Sequence, residues 1–204
     1  IKQFIGGQSN PTFLIIFDKK GQLVLRKKPP GKLLPSAHSV EREYKVQKSL
    51  QDTIVPCPDM LALCEDPNII GTPFYIMEPV NGIVHENILD VKNKEKRKEI
   101  FLQMVRMLAN IHNIDYKKIG LDSFGKPGNY FSRQISRWTK QYIASETENI
   151  NEMQSLIEWL PKNIPGKDET SIVHGDYRID NMVLHPSESK VLAVLDWELS
   201  TSVS

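Results

Sequence analysis

The sequence predicts an α+β chain: a small β-rich amino-terminal part, then a helical part that ends in a short hairpin. Three observations carry this. The strand-like runs 12–17 and 22–26 flank Asp18-Lys-Lys-Gly21, a good turn. Ile100, Met104, Leu108 and Ile111 instead follow helical spacing. Two short apolar runs, 182–184 and 191–195, are joined by Pro186-Ser-Glu-Ser-Lys190, which reads as a turn between antiparallel strands.

Composition is that of an ordinary globular chain, with 204 residues, 40% hydrophobic and 25% charged. A net charge of +1 gives no global attraction to nucleic acid or to a membrane surface. The only cysteines, Cys57 and Cys64, lack His partners at ligand spacing. They suggest neither a zinc site nor a disulfide framework, but two free thiols in a reduced, intracellular protein. No apolar run approaches the ~20 residues of a membrane helix. The chain starts without Met or a signal-like segment, and Ile1 already lies in apolar–polar alternation, so a fragment of a longer chain is expected. No internal repeat is present.

Residues 1–27 read as a hairpin or small sheet. Gly6-Gly7-Gln8-Ser9-Asn10-Pro11 precedes its first strand. Glycines let a backbone approach phosphate oxygens closely, and Ser9 and Asn10 add donors. Without Gly-Lys-Ser/Thr it is not a Walker loop, and a plain turn is the competing reading. On the second strand, alternation puts Val24 and Arg26 on one face and Leu23, Leu25 and Lys27 on the other. Arg26 can grip phosphate bidentately; alternatively Arg26, Lys27 and Lys28 form a solvated basic edge. Pro29-Pro30-Gly31 ends the strand. Residues 39–50 predict a helix capped by Ser39, with Glu43, Val46 and Leu50 along one stripe. A carboxylate on a buried stripe needs a cation, and Arg26 is the candidate. Residues 72–82 then form a strand that stops at Pro79 and Gly82.

The charged run 92–99 reads as a solvated helix face. The helix that follows, its stripe widened by Phe101 and Val105, is expected to be buried and central, with His112 at its end in a structural role. Tyr130-Phe-Ser-Arg133-Gln-Ile-Ser-Arg-Trp138-Thr-Lys-Gln-Tyr142 and residues 151–160 predict two more helices. A loop, 161–170, returns the chain to Ile172-Val173 and then to His174-Gly175-Asp176. Antiparallel pairing of 182–184 with 192–194 would bring Asn181 and Asp196 to one end, beside the loop that carries Asp176. Three oxygen-bearing side chains there suit a hard cation such as Mg²⁺. The bland alternative is an ordinary turn and a strand-end cap.

Asp176, Asn181 five residues on, a strand pair and then Asp196 resemble the catalytic loop and metal-binding aspartate of kinases. His174-Gly175-Asp176, in place of His-Arg-Asp, resembles the aminoglycoside-phosphotransferase branch of the protein-kinase-like fold. That resemblance implies a bilobal fold. Residues 1–80 would be a nucleotide-binding N-lobe with one helix, and 81–204 a helical C-lobe with the catalytic loop and metal-binding hairpin. It implies that Asp176 orients or deprotonates an acceptor hydroxyl, and that Asn181 and Asp196 hold the Mg²⁺ bridging the ATP phosphates. Arg26 would reach the α- and β-phosphates with Glu43 as its partner, and Ser9 and Asn10 would lie near the phosphates. Pro79 has no amide hydrogen, so the Glu78 carbonyl and the Val80 amide would meet the adenine edge.

Longer phrases narrow the resemblance. Val24-Leu-Arg-Lys-Lys-Pro-Pro-Gly31, Leu33-Leu34-Pro35, Arg42-Glu43-Tyr44, the 133–142 phrase and Asp196-Trp197-Glu198-Leu199-Ser200-Thr201 are similar to one kinase-like segment. It lies amino-terminal to an acyl-CoA dehydrogenase in acyl-CoA dehydrogenase family members ten and eleven. The implication is ATP-dependent phosphorylation of a hydroxyacyl-CoA hydroxyl, that of 4-hydroxyacyl-CoA in particular. A fused dehydrogenase would act in the same fatty-acid catabolism, in mitochondria or peroxisomes. Such domains continue past Thr201 into further helices. The C-lobe is therefore expected to be incomplete, and the chain marginally folded or aggregation-prone, with little or no kinase activity. The competing readings are a catalytically inert fragment or binding module, and a choline, sugar or aminoglycoside-type kinase.

Overall fold

The computed structural model describes residues 1–4, 10–17, 21–31, 38–125, 128–166 and 169–203. Strands β1 (Lys2–Gln3), β2 (Thr12–Phe17), β3 (Gly21–Lys27), β4 (Met60–Cys64) and β5 (Phe74–Met77) form an antiparallel sheet in the order β1-β2-β3-β5-β4. The β2–β3 register pairs Leu14 with Val24 and Thr12 with Arg26. β4 was not foreseen. It is an edge strand with a register shift between Met60 and Ala62, and its Met-Leu-Ala-Leu-Cys run carries no alternation that would betray it.

Helix α1 (Val40–Leu50) starts where Ser39 predicted, its hydroxyl accepting the Arg42 amide. The helix joins two cores. Val40 and Tyr44 pack with Val24, Met60, Tyr75 and Met77 of the sheet. Further along the helix, Val46 and Leu50 join Val55, Ile100, Ile111, Ile172, Met182 and Trp197. The second core thus spans both halves of the chain.

A four-residue helix α2 (Pro67–Ile70) links β4 to β5. In α3 (Lys94–His112), capped by Asn93, Ile100 and Ile111 are fully buried and Met104 is partly buried. Phe101 and Val105, expected to widen that stripe, are instead 49% and 65% exposed. Val105 stands about 140° round the helix from Ile100, and among the described residues nothing covers that flank. Helices α4 (Tyr130–Ser145) and α5 (Asn151–Trp159) follow where the spacing put them.

Strand β6 (Ser171–Val173) pairs with β9 (Thr201–Val203), a partner local pattern did not reveal. Strands β7 (Met182–Leu184) and β8 (Val191–Val194) form the predicted hairpin, Met182 facing Val194 and Val183 facing Ala193. The segment after β5 is stitched to this hairpin by reciprocal Ile83–Leu184 backbone bonds of 2.8 Å. Gly82 permits that approach, because a Cβ there would overlap the Val183 side chain and the Leu184 carbonyl. Among the described residues no helix is long and apolar enough to cross a membrane.

Candidate functional site

Arg26 is the point where three parts of the chain meet. Its Nε donates to Glu43 Oε2 of α1 at 3.0 Å. One terminal nitrogen reaches Asp196 Oδ1 at 2.5 Å and lies 4.0 Å from Glu198 Oε2. The other donates to Thr12 Oγ1 at 3.5 Å. The side chain is only 14% exposed, so Arg26 does not belong to a solvated edge. Lys28, which the same reading placed there, is paired with Glu41 at 2.6 Å.

Burial alone would lower the Arg26 pKa, but Glu43, Tyr75, Asp196 and Glu198 outweigh it and raise the value. Glu43 is fully buried. Desolvation pushes its pKa up to about 7 against the pull of Arg26. The guanidinium is therefore the firmly charged member of the pair.

The loop between β6 and β7 is built around His174, which is buried. Its Nδ1 accepts the Asp176 amide at 3.3 Å, so the ring proton sits on Nε2, which donates to the Leu195 carbonyl at 2.8 Å. Burial lowers the His174 pKa and keeps the ring neutral. Gly175 adopts φ 90°, and a Cβ there would overlap the Leu199 carbonyl. Tyr177 ties the loop to α3 by donating to the Met104 carbonyl at 2.6 Å.

Asn181 Nδ2 donates to the Asp176 carbonyl at 2.9 Å and to Asp176 Oδ2 at 3.1 Å. Both amide hydrogens are thereby used, and among the described residues no donor reaches Asn181 Oδ1. The Leu195 amide bonds to the Asn181 carbonyl at 2.8 Å, so the two hairpin ends adjoin. Asp196 adopts a left-handed conformation, φ 61° and ψ 59°, sparsely populated by residues other than glycine.

Two of the three expected oxygen groups, Asp176 and Asn181, are thus hydrogen-bonded to each other, while Asp196 is engaged by Arg26. Among the described residues no three His, Cys, Asp or Glu side chains cluster as a metal site. Asn181 Oδ1, unpaired among the described residues, and the Asp196 carboxylate are nevertheless oxygen donors of the kind hard divalent cations take, carried on the two adjoining hairpin ends.

The remaining predicted residues lie around this centre. The Glu78 amide donates to the Asp59 carbonyl at 2.9 Å, leaving the Glu78 carbonyl and the Val80 amide without partners among the described residues. Asn10 is buried and donates through Nδ2 to Glu198 Oε2 at 3.0 Å. Ser9 lies outside the described residues. Cys57 and Cys64 are free thiols, and burial raises the Cys57 pKa.

Sequence reasoning missed Glu198 and Thr12. Only the position of Glu198 two residues after Asp196 hinted at it; a bond across 188 residues leaves no mark in local spacing. It also missed Arg42, whose guanidinium donates to the Ser200 carbonyl at 3.1 Å and stacks on Phe124.

The model of the phosphotransferase enzyme family matches residues 1–202. Acyl-CoA dehydrogenase family member 10 of Mus musculus is 52% identical over 98% of this chain, which spans 19% of that protein. Acyl-CoA dehydrogenase family member 11 of Homo sapiens is 45% identical over 98% of the chain, which spans 26% of it. The crystal structure of a candidate aminoglycoside phosphotransferase from Ralstonia eutropha has a TM-score of 0.87 at 51% identity, covering 98% of this chain and 59% of that one. A thermostable mutant of the aminoglycoside phosphotransferase APH(4)-Ia, solved with AMP-PNP and hygromycin B, has a TM-score of 0.70. At 14% identity, over 99% of this chain and 67% of that one, it shares the fold.

Proposed function

Because this chain belongs to the phosphotransferase enzyme family, we propose that it transfers a phosphoryl group from ATP to an alcohol hydroxyl. The observation that carries the reading is the meeting of Arg26, Glu43 and Asp196 beside the Asp176–Asn181 pair. It brings a fixed cation, a carboxylate and a loop aspartate to one place, which is what phosphoryl transfer needs for positioning and charge neutralisation.

In this reading residues 1–80 receive the nucleotide and residues 81–204 supply the catalytic loop and cation ligands. Arg26, anchored by Glu43, exchanges Asp196 for the α- and β-phosphates. Ser9 and Asn10 stand near the phosphates, and the Glu78 carbonyl and Val80 amide meet the adenine edge. Asn181 Oδ1 and Asp196 hold Mg²⁺, which when bound neutralises phosphate charge. The acceptor oxygen attacks the terminal phosphorus, the bond from that phosphorus to the ADP oxygen breaks, and Asp176 takes the hydroxyl proton.

The preferred acceptor is a hydroxyacyl-CoA, 4-hydroxyacyl-CoA in particular. The similarity to acyl-CoA dehydrogenase family members supports it. Action beside a fused dehydrogenase, in mitochondria or peroxisomes, belongs to the same proposal. A second reading, a small-molecule kinase of the choline, sugar or aminoglycoside type, is favoured by the 51% identity to the Ralstonia eutropha protein. Incubation with Mg·ATP and each acceptor in turn, followed by mass spectrometry, separates them. A phosphate added to 4-hydroxyacyl-CoA is the expected product. Preferential phosphorylation of choline, a sugar or an aminoglycoside would favour the second reading, and no phosphorylated acceptor at all would overturn both.

A further inference from the structure

The backbone on either side of Glu198 is held by several contacts, and its carboxylate lies beside groups of the amino-terminal half. It sits in the single turn 197–199. Trp197 is fully buried there, with its indole N–H on the Val194 carbonyl at 2.9 Å. Arg42 grips the Ser200 carbonyl from α1, and the Ser200 hydroxyl closes the turn onto the Trp197 carbonyl. Gly175 packs against the Leu199 carbonyl, where no larger residue fits. A backbone so fixed aims the side chain, only 12% exposed, at three groups from the amino-terminal half. Asn10 Nδ2 is at 3.0 Å, Arg26 at 4.0 Å and His38 Nδ1 at 3.9 Å.

The Asn10 contact has a defined direction. A carboxylate only accepts, so the amide must present Nδ2 to it and turn Oδ1 away. Asn10 is 4% exposed, and among the described residues its buried Oδ1 has no partner, so the Glu198 bond is what selects its orientation. Asn10 immediately precedes the strand pair that carries Arg26 and ends the Gly6–Asn10 stretch in sequence.

We propose that Glu198 is a positioning residue for the nucleotide: it clamps Asn10 and Arg26 to the segment that carries Asp196, so that the donors of the amino-terminal half face the phosphates. The inference rests on the phosphotransferase reading. It assigns Glu198 a role in nucleotide affinity through Asn10, separate from any contact with a cation.

The test is a double-mutant cycle on ATP affinity, measured by calorimetry with EDTA and no magnesium so that cation binding does not contribute. Glu198→Ala and Asn10→Ala should each weaken ATP binding about tenfold, and the double variant should be no weaker than either single one. Glu198→Gln keeps an acceptor for Asn10 Nδ2 and should recover most of the loss, which a merely structural defect would not do. Equal affinity of the wild type and Glu198→Ala, or losses that add in the double variant, would overturn the inference alone. A wild-type chain with no affinity for ATP, with or without magnesium, would overturn it together with the phosphotransferase reading.

Discussion

At the scale of single residues, the roles proposed for Asp176 and Arg26 respond differently to substitution. Asp176→Asn preserves shape but removes the proposed proton acceptor. It should lower phosphoryl transfer by ~10²–10⁴ while leaving ATP affinity near normal; a variant retaining more than about a tenth of the turnover would unseat Asp176. Arg26→Ala acts on stability as well. It strips the partner from Glu43, whose side chain is 1% exposed, and an uncompensated buried charge costs ~3–5 kcal/mol. Glu43 already titrates up at about 7, so the variant can partly escape by protonation. A carboxylate with a raised folded pKa contributes stability that is present at low pH and lost as pH rises through that value. The Arg26→Ala penalty should therefore grow as pH rises above about 7, where wild-type Glu43 ionises and the variant's does not, and Arg26→Ala with Glu43→Leu should recover much of it. Urea unfolding at several pH values measures this, and a penalty independent of pH would contradict it.

The loop between β6 and β7 is an element whose shape depends on two features that sequence marks but does not explain. The Gly175 backbone at φ 90° costs a residue with a Cβ about 1–2 kcal/mol, before the overlap with the Leu199 carbonyl is counted. Gly175→Ala should lower the melting temperature and displace Asp176, so that turnover falls by more than the loss of folded protein explains. An unchanged melting temperature would show that the loop relaxes around the methyl group.

His174 sets the second dependence. Its folded pKa lies below the ordinary 6.5 because of burial, so the folded chain resists a proton that the unfolded chain accepts. Its stability contribution is present above about 6.5 and lost as pH falls below it. Protonation would also remove the acceptor for the Asp176 amide. The melting-temperature gap between wild type and His174→Asn should shrink from pH 7.5 to pH 5.5, and a constant gap would sink the argument.

For the molecule as a whole, α1 is the decisive connection. Val40 and Tyr44 belong to the sheet core, while Val46 and Leu50 belong to the core shared with α3, β6 and the hairpin. Because the larger cluster draws on residues from both halves, heat should unfold the described chain in one calorimetric transition. Leu50→Ala, at a fully buried site, should cost ~2–5 kcal/mol and shift that single transition without splitting it. Two separable transitions in the wild type would mean the halves fold independently.

The sequence by itself determined the α+β class, the β2–β3 and β7–β8 hairpins, the start of α1 at Ser39 and the alignment of Asn181 with Asp196. These follow from turn chemistry, capping and side-chain period, which act over a few neighbouring residues. The pairing of Arg26 with Glu43 was also legible, because a carboxylate on a buried stripe requires a cation and few stand near. Tertiary structure alone decided the rest: β4 on the sheet edge, β9 beside β6, and the exposure of Phe101 and Val105. It alone joined Arg26 to Asp196 and Asn10 to Glu198, across 170 and 188 residues. Such contacts depend on which elements the core brings together, and no local preference of either partner encodes the distance between them.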